Sequence, residues 1–377
     1  AAGLAASISA GAVAAASSPT QSGPATAAAS AVRLAPPLRT LSVVASGDVL
    51  TENIVLAAAA REAQPGQRYD FAALMAPIAP AVASADLAIC HLELVTGRPG
   101  EPAANAGKSQ SMGYRLRSPH EVVVGMAQTG FDRCSTASNH SNDLGFGGIV
   151  TTLDGLDLVG ISHTGTARSP QEAAPGQQQV VVNGVRVAHL SYTSYSNDGA
   201  PSQPWQLNMS ISPQRVAGDV RAARDAGAEV VIVSLHTFKE MERAPIPADR
   251  RFVEQLTAMV PVDLIVQHGP HVIQPIEWVN GALVYWSIGN LLSGMGVAGR
   301  WRYDDMRTVD GLLATVRFTE TSPGSFVVST VPLLVCLDPA SRVVWPITAL
   351  DDPATPPSLV PMLQACRTRS RSVIPGL

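Results

Sequence analysis

Apolar positions along the chain switch between two spacings. Short continuous runs of aliphatic and β-branched residues recur, and each stops at a polar residue: Leu41–Ala45 before Ser46-Gly47-Asp48, Ala85–Cys90 before His91-Leu92-Glu93, Phe131–Ala137 before Ser138-Asn139-His140, Glu229–Leu235 before His236, and Val262–Gln267 before His268-Gly269-Pro270-His271. Runs of this length predict buried strands. Between them the spacing lengthens to the helical period, predicting helices over Phe71–Ser84, Pro119–Thr129, Ile149–Leu158, Ser212–Ala226 and Asp249–Met259. Strand and helix in alternation predict an α/β domain. In such folds the ligand crevice forms at the carboxyl ends of the strands, so the five polar endings are expected to converge there.

Other stretches carry antiparallel signals. Gln179–Leu190 has an Asn-Gly turn between β-branched residues, Trp278–Trp286 repeats that signal, and Gly311–Leu337 alternates strongly. A mixed sheet system is therefore expected, with Trp278, Tyr285 and Trp286 as hairpin packing. Residues 1–38 are Ala/Ser/Pro-rich and carry too few apolar side chains of any size to hold a fold, so they read as a disordered segment. Their first part resembles the tail of a secretory signal followed by a linker, which would make the protein secreted or envelope-associated; a disordered tail on a cytosolic protein is the alternative. Residues 39–347 form the expected domain, and 348–377 read as a C-terminal tail without a strong periodic segment. The chain shows no internal repeat and no G-x-x-x-x-G-K-[ST] loop.

Composition narrows the function. Among 377 residues, 26 Lys and Arg stand against 30 Asp and Glu, for a formal charge of −4. That balance lacks the basic face a phosphate backbone requires, so nucleic acid is excluded as a partner. No apolar stretch reaches the roughly 20 residues of a membrane span. Cys90, Cys134, Cys336 and Cys366 form no C-x-x-C pair. Neighbouring strands would bring Cys90 to Cys134, and Cys336 with Cys366 would tie down the C-terminal segment; four buried free thiols are the alternative.

Asp48, Glu93, Asn139, His236, His268 and His271 together offer carboxylate, amide and imidazole donors, a set suited to Mn²⁺, Zn²⁺ or Fe. Glu93 is the natural bridging carboxylate if two ions are held. His140, directly after Asn139, is placed to protonate a leaving group beside the ions. Arg168, in His163-Thr-Gly-Thr-Ala-Arg168, is a candidate anion contact.

These motifs occur in a recognisable order: Gly47-Asp48, Ala85-Asp86-Leu87 with Leu92-Glu93, Gly130-Phe131-Asp132 with Ala137-Ser138-Asn139-His140 and Asp143-x-Gly145, Ser234-Leu235-His236, and His268-Gly-Pro-His271-Val-Ile-Gln-Pro-Ile-Glu277 with Ser287-Ile-Gly289-Asn290. Over roughly Leu41 to Leu337 the chain resembles the CapA-type poly-γ-glutamate capsule biosynthesis proteins of the calcineurin-like metallophosphoesterase superfamily. The resemblance implies a four-layered α/β/β/α sandwich with two divalent ions at one end of its packed sheets. It implies that Asp48 and His271 hold the first ion, that Glu93 bridges, that Asn139, His236 and His268 hold the second, and that His140 is the proton donor, with Asn290 in a tight loop beside them.

Two departures stand out. Leu50 occupies the place where typical phosphoesterases carry a His, and His91 stands where many members of the family carry Asn, so His91 either fills that vacancy or points away. The implied activity is hydrolysis of a phosphoester or amide bond in cell-surface polymer metabolism; the implied partners are an anionic surface polymer or its precursor and capsule-assembly proteins. The alternative is a non-catalytic assembly or export factor for such a polymer.

Overall fold

The computed structural model describes residues 38–111, 113–209, 212–297 and 304–377. The segment expected to be disordered, apart from Leu38, lies outside them. Among the described residues the strands build a nine-stranded, a six-stranded and a small three-stranded sheet. The path of the first sheet runs Val344–Pro346, Leu333–Leu337, Asp310–Ser322, Thr40–Val49, Leu87–Leu92, Arg133–Ser135, Ser162–Thr164, with Asn290–Leu292 beside Thr40–Val49 and Ser325–Thr330 beside Asp310–Ser322. The second runs Ile276–Val279, Ala282–Tyr285, Leu264–His268, Val230–His236, Val185–Thr193, Gln179–Val182.

Period-two alternation explains how these sheets stack. In Thr40–Val49 the side chains of Leu41, Val43 and Ala45 join a core with Val187, Val230, Ile232, Leu264 and Val266 of the other sheet. Val44 faces the opposite way and packs with Val55, Phe71, Val122, Ile149 and Leu153 from helices. On the second sheet Val231, Val233 and Ile265 turn outward onto Val216, Val220, Val253 and Leu256 of the helices Pro213–Asp225 and Pro247–Met259. Each central strand is buried on both faces, which is why it reads as an unbroken apolar run. The result is a four-layered α/β/β/α sandwich with mixed sheets. The five strands with polar endings are divided between its two sheets, three in the first and two in the second.

Two elements differ from the sequence expectation. The helix expected over Phe71–Ser84 is split into Phe71–Met75, a 3₁₀ turn Ala76–Ile78 and Ala79–Ala83, because Pro77 and Pro80 cannot donate to the preceding turns. Residues 348–377 are not without periodic structure: they carry a twelve-residue helix, Val360–Arg371. Its Leu363 and Cys366 are buried in the core between the sheets, and only three of its residues are buried, too narrow a stripe for a strong pattern. A disulfide joins Cys366 to Cys336 on the strand Leu333–Leu337, and a second joins Cys90 to Cys134.

The Cys336–Cys366 bridge closes a loop with a sequence separation of 30. Chain entropy for such a loop amounts to about 4 kcal/mol. Replacing both cysteines by alanine is expected to lower the thermal midpoint by roughly 5 °C in a melting experiment. An unchanged midpoint would mean that packing alone holds the helix.

Candidate metal centre

The centre lies at one end of the core between the sheets. Parallel register sets Asp48 beside His91 on adjoining strands of the first sheet, and His236 beside His268 on those of the second. Alternation aims three of them inward: His91 continues the face of Leu87 and Ile89, His236 that of Val230 and Ile232, and His268 that of Leu264 and Val266. Asp48 alone would fall on the wrong face. A register shift between Ala45 and Asp48 turns it toward the other sheet, the usual effect of a β-bulge. Gly47, within that bulge, permits the close approach of the neighbouring loop: a Cβ there would lie 2.2 Å from the carbonyl oxygen of Gly289.

Asp48, His91, Glu93, His236, His268 and His271 are all buried. Asp48 Oδ1 lies 3.0 Å from His268 Nδ1, and its Oδ2 accepts from the backbone N–H of Gly269 at 3.2 Å and sits 3.0 Å from His271 Nδ1. His91 stacks on His268 with ring centroids 3.9 Å apart, and its Nε2 is 3.0 Å from His236 Nδ1. Its Nδ1 meets the Ser135 hydroxyl at 2.7 Å. His91 therefore points into the centre, the question its sequence position left open. His271 has a φ of +58°, a conformation uncommon outside glycine, and is held by Asn290 Oδ1 at 3.0 Å from its Nδ1. Asn290 in turn donates to the carbonyl of Thr308 at 3.0 Å.

Glu93 Oε2 and His236 Nε2 of this group, and Asn139 Oδ1 on the loop that carries His140, are buried and have no hydrogen-bond partner among the described residues. Leaving such atoms unpaired costs on the order of 1–3 kcal/mol each. Asp48, His91, Glu93 and His236 each bring one ligand atom, all within 4.8 Å of one another. A divalent cation supplies what these lone pairs lack, and the mixture of carboxylate and imidazole donors suits Mn²⁺, Zn²⁺ or Fe²⁺. The residues present thus fit a divalent metal. His91 belongs to this closest group, whereas His268 and His271 direct their Nδ1 atoms to Asp48.

Electrostatics divide the set: His91 and His236 are neutral, whereas Glu93 and His271 hold protons that a cation would displace. Burial pushes the Glu93 carboxyl up to about 8. Burial also drives His236 down to about 3 and His91 well below the ordinary imidazole range, so both present neutral, ligand-competent nitrogens. At Asp48 burial favours the neutral acid, but hydrogen bonds from His268 and His271 win and keep it ionised. At His271 burial opposes protonation, while the Glu93 charge and the Asp48 contact hold it up at about 10.

His140 lies at the edge of the cluster. Its Nδ1 is 2.6 Å from Asp143 Oδ2, and its Nε2 is 3.4 Å from Asn197 Nδ2. Burial opposes charging this ring, but the Asp143 hydrogen bond outweighs it and raises its affinity for a proton. Asp143 was legible only as part of a motif; the three-residue spacing from His140 was the available signal for its role. Asn197 comes from a distant loop and gave none. Arg168 stands apart from the centre: its guanidinium is taken up by Glu172, Asp154 and Asp157.

The profile described as bacterial capsule synthesis protein PGA_cap matches residues 42–295, well over half of the chain. Among curated relatives, the chain is 25% identical over 218 residues to the PGA biosynthesis protein CapA of Bacillus subtilis (strain 168), covering 58% of this chain and 55% of that protein. It is 28% identical over 226 residues to the capsule biosynthesis protein CapA of Bacillus anthracis, covering 58% and 51%. The chain spans about half the length of these relatives. Similar solved structures include a 5'-nucleotidase precursor from Thermus thermophilus (11% identical, TM-score 0.42, covering 90% of this chain and 60% of that one). Another is the calcineurin-like phosphoesterase YfkN from Bacillus subtilis (13% identical, TM-score 0.45, covering 89% and 99%).

Proposed function

The chain belongs to the bacterial capsule synthesis protein family PGA_cap, and from that membership we propose that it is a metal-dependent hydrolase acting on a phosphoester or amide bond in the metabolism of an anionic cell-surface polymer. The observation that carries this reading is the buried group Asp48, His91, Glu93 and His236, whose ligand atoms lie within 4.8 Å of one another with Glu93 Oε2 and His236 Nε2 unpaired, in a chain that also pairs His140 with Asp143. When bound, divalent ions in such a site supply Lewis-acid polarisation of a phosphoryl or carbonyl oxygen and an activated water. The chain's own residues do the rest. Asp48, Glu93, Asn139, His236, His268 and His271, with His91, would hold the cations, Asn290 fixes His271, and burial would keep bulk solvent from the reacting bond. Asp143 orients His140 through Nδ1, so that Nε2 carries the proton delivered to the leaving group.

The chemistry expected of the substrate follows from the family's capsule role. Poly-γ-glutamate, a capsule precursor and the capsule-assembly machinery are the partners this reading assigns. Two disulfides support an extracytoplasmic location, where such bonds persist. No helix among the described residues is long and apolar enough to cross a membrane. The test is turnover of a generic phosphomonoester, a phosphodiester and γ-linked polyglutamate with Mn²⁺ or Zn²⁺ present. Release of product from one of them is expected, and no turnover of any by demonstrably metal-loaded protein counts against catalysis.

A second reading, a non-catalytic assembly or export factor, is favoured by one feature: the buried Leu50 where a phosphoesterase carries a metal-binding His. It predicts that cells carrying Asn139→Ala with His140→Ala still make polymer, whereas the hydrolase reading predicts that production fails.

A further inference from the structure

On the His271 side of the centre a cavity of about 100 Å³ is lined by Arg243, Val272, Arg307, Asp310, Arg369 and Ser370, among others. Two of its lining residues are covalent neighbours of residues at the centre. Val272 follows His271, and Arg307 precedes Thr308, whose carbonyl accepts from the Asn290 amide that fixes His271. By this measure a single water needs about 10–15 Å³, so the cavity has room for one carboxylate with its attached carbon.

Its lining sets three guanidinium groups against one carboxylate. Arg369 is committed to Asp310 through two bonds of 2.8 and 2.6 Å, and Arg307 to Asp305 and the carbonyl of Met241. Arg243 is exposed; its charge helps hold the Asp305 carboxyl low, but it has no hydrogen bond or close ion pair to any described residue, so its five donors remain available. Opposite in character but equally unsatisfied is Ser370, 2% exposed, whose hydroxyl has no hydrogen-bond partner. A surplus cation and a buried hydroxyl donor around one small space match an oxyanion: two acceptor oxygens can take a fork from Arg243 and the hydroxyl proton of Ser370 together. With Arg307 and Arg369 each neutralised by an acid, the charge left over is that of Arg243, which balances a monoanion better than a phosphate dianion.

We propose that this cavity is a binding subsite for one oxyanion, a carboxylate of an acidic polymer whose neighbouring bond lies at the metal centre. The choice of an acidic polymer rests on the functional reading above; the demand for an anion does not. The subsite would hold such a chain in place beside Asp48 and His271, independently of the metal ligands.

The experiment is calorimetric titration of metal-loaded protein with γ-linked triglutamate and, separately, with inorganic phosphate, for wild type, Arg243→Gln and Ser370→Ala. Arg243 is exposed and makes none of the fold's hydrogen bonds, so its variant should fold normally. Triglutamate is expected to bind wild type and to lose roughly tenfold or more in affinity with Arg243→Gln, as removal of a charged hydrogen bond does, and less with Ser370→Ala. Tighter binding of phosphate than of triglutamate, with only the phosphate weakened by Arg243→Gln, would overturn the carboxylate assignment in favour of a free-phosphate site. Triglutamate affinity that is the same in all three proteins, but lost when Glu93→Ala removes the metal, would overturn the subsite and leave the hydrolase reading standing. Absence of binding by either probe also overturns it, while turnover, measured separately, decides the catalytic reading.

Discussion

Alanine in place of Glu93 is expected to leave the protein unable to retain divalent metal. The carboxylate is buried and its Oε2 has no hydrogen-bond partner among the described residues, so a cation is what would satisfy it. The same holds for His236, whose Nε2 is buried and unpaired while its Nδ1 faces His91. Loss of a residue that merely supports a ligand costs roughly 10–100-fold in metal affinity, and loss of the ligand itself costs more. Mass spectrometry of protein purified without chelators should find about two ions per wild-type chain, as a two-metal hydrolase requires. Glu93→Ala and His236→Ala should each retain less than about a tenth of that, on the same scale of affinity loss. About one ion in the wild type would point to the second site alone, with Leu50 as the physical reason, because a buried leucine offers no lone pair. Equal metal content in wild type and both variants would remove the basis for a centre at these residues.

The second large effect is expected at His140. If the protein is the hydrolase proposed above, His140→Ala should lower kcat by roughly 10²–10⁴, with metal content unchanged, since His140 is not among the four closest donors. Asp143→Asn supplies the control. It leaves a hydrogen-bonding group near His140 Nδ1 but removes the charge that favours the imidazolium. Activity should drop less than with His140→Ala, and the limb of the pH–rate profile that reports the acid should move to lower pH. Activity of His140→Ala equal to that of wild type would show that another group delivers the proton.

Much of this site was legible because strand chemistry is. Strands buried on both faces must read as continuous apolar runs, so the abrupt polar residues after Val266 or Leu235 stood out, and the positions of Asp48, Glu93, His236 and His268 followed. What the pattern did not carry was facing. His91 could lie on either side of its strand until the packing of Leu87 and Ile89 between the sheets decided it. The bulge that turns Asp48 inward leaves no trace in apolar spacing, since Val44 to Val49 is buried throughout. The left-handed backbone at His271 was equally invisible, because histidine carries none of the conformational signal that glycine does. Contacts between distant loops, such as Asn197 on His140, arise only from tertiary closure. The C-terminal helix escaped because a disulfide and three buried residues hold it, too few for a periodic stripe.

One feature reaches beyond the chemistry of the centre. Its candidate ligands come from two sheets, Asp48 and His91 on strands of the first with Glu93 just past one of them, and His236 and His268 on strands of the second, with mostly side-chain packing joining those halves. A cation bound there fastens one layer to the other, so ligand binding and folding become a single linked equilibrium. At a free metal concentration a thousandfold above the dissociation constant, that linkage amounts to about 4 kcal/mol of added stability. The sandwich would then be most rigid where metal is plentiful, and in scarce metal its weakest seam would be the very junction on which catalysis would depend.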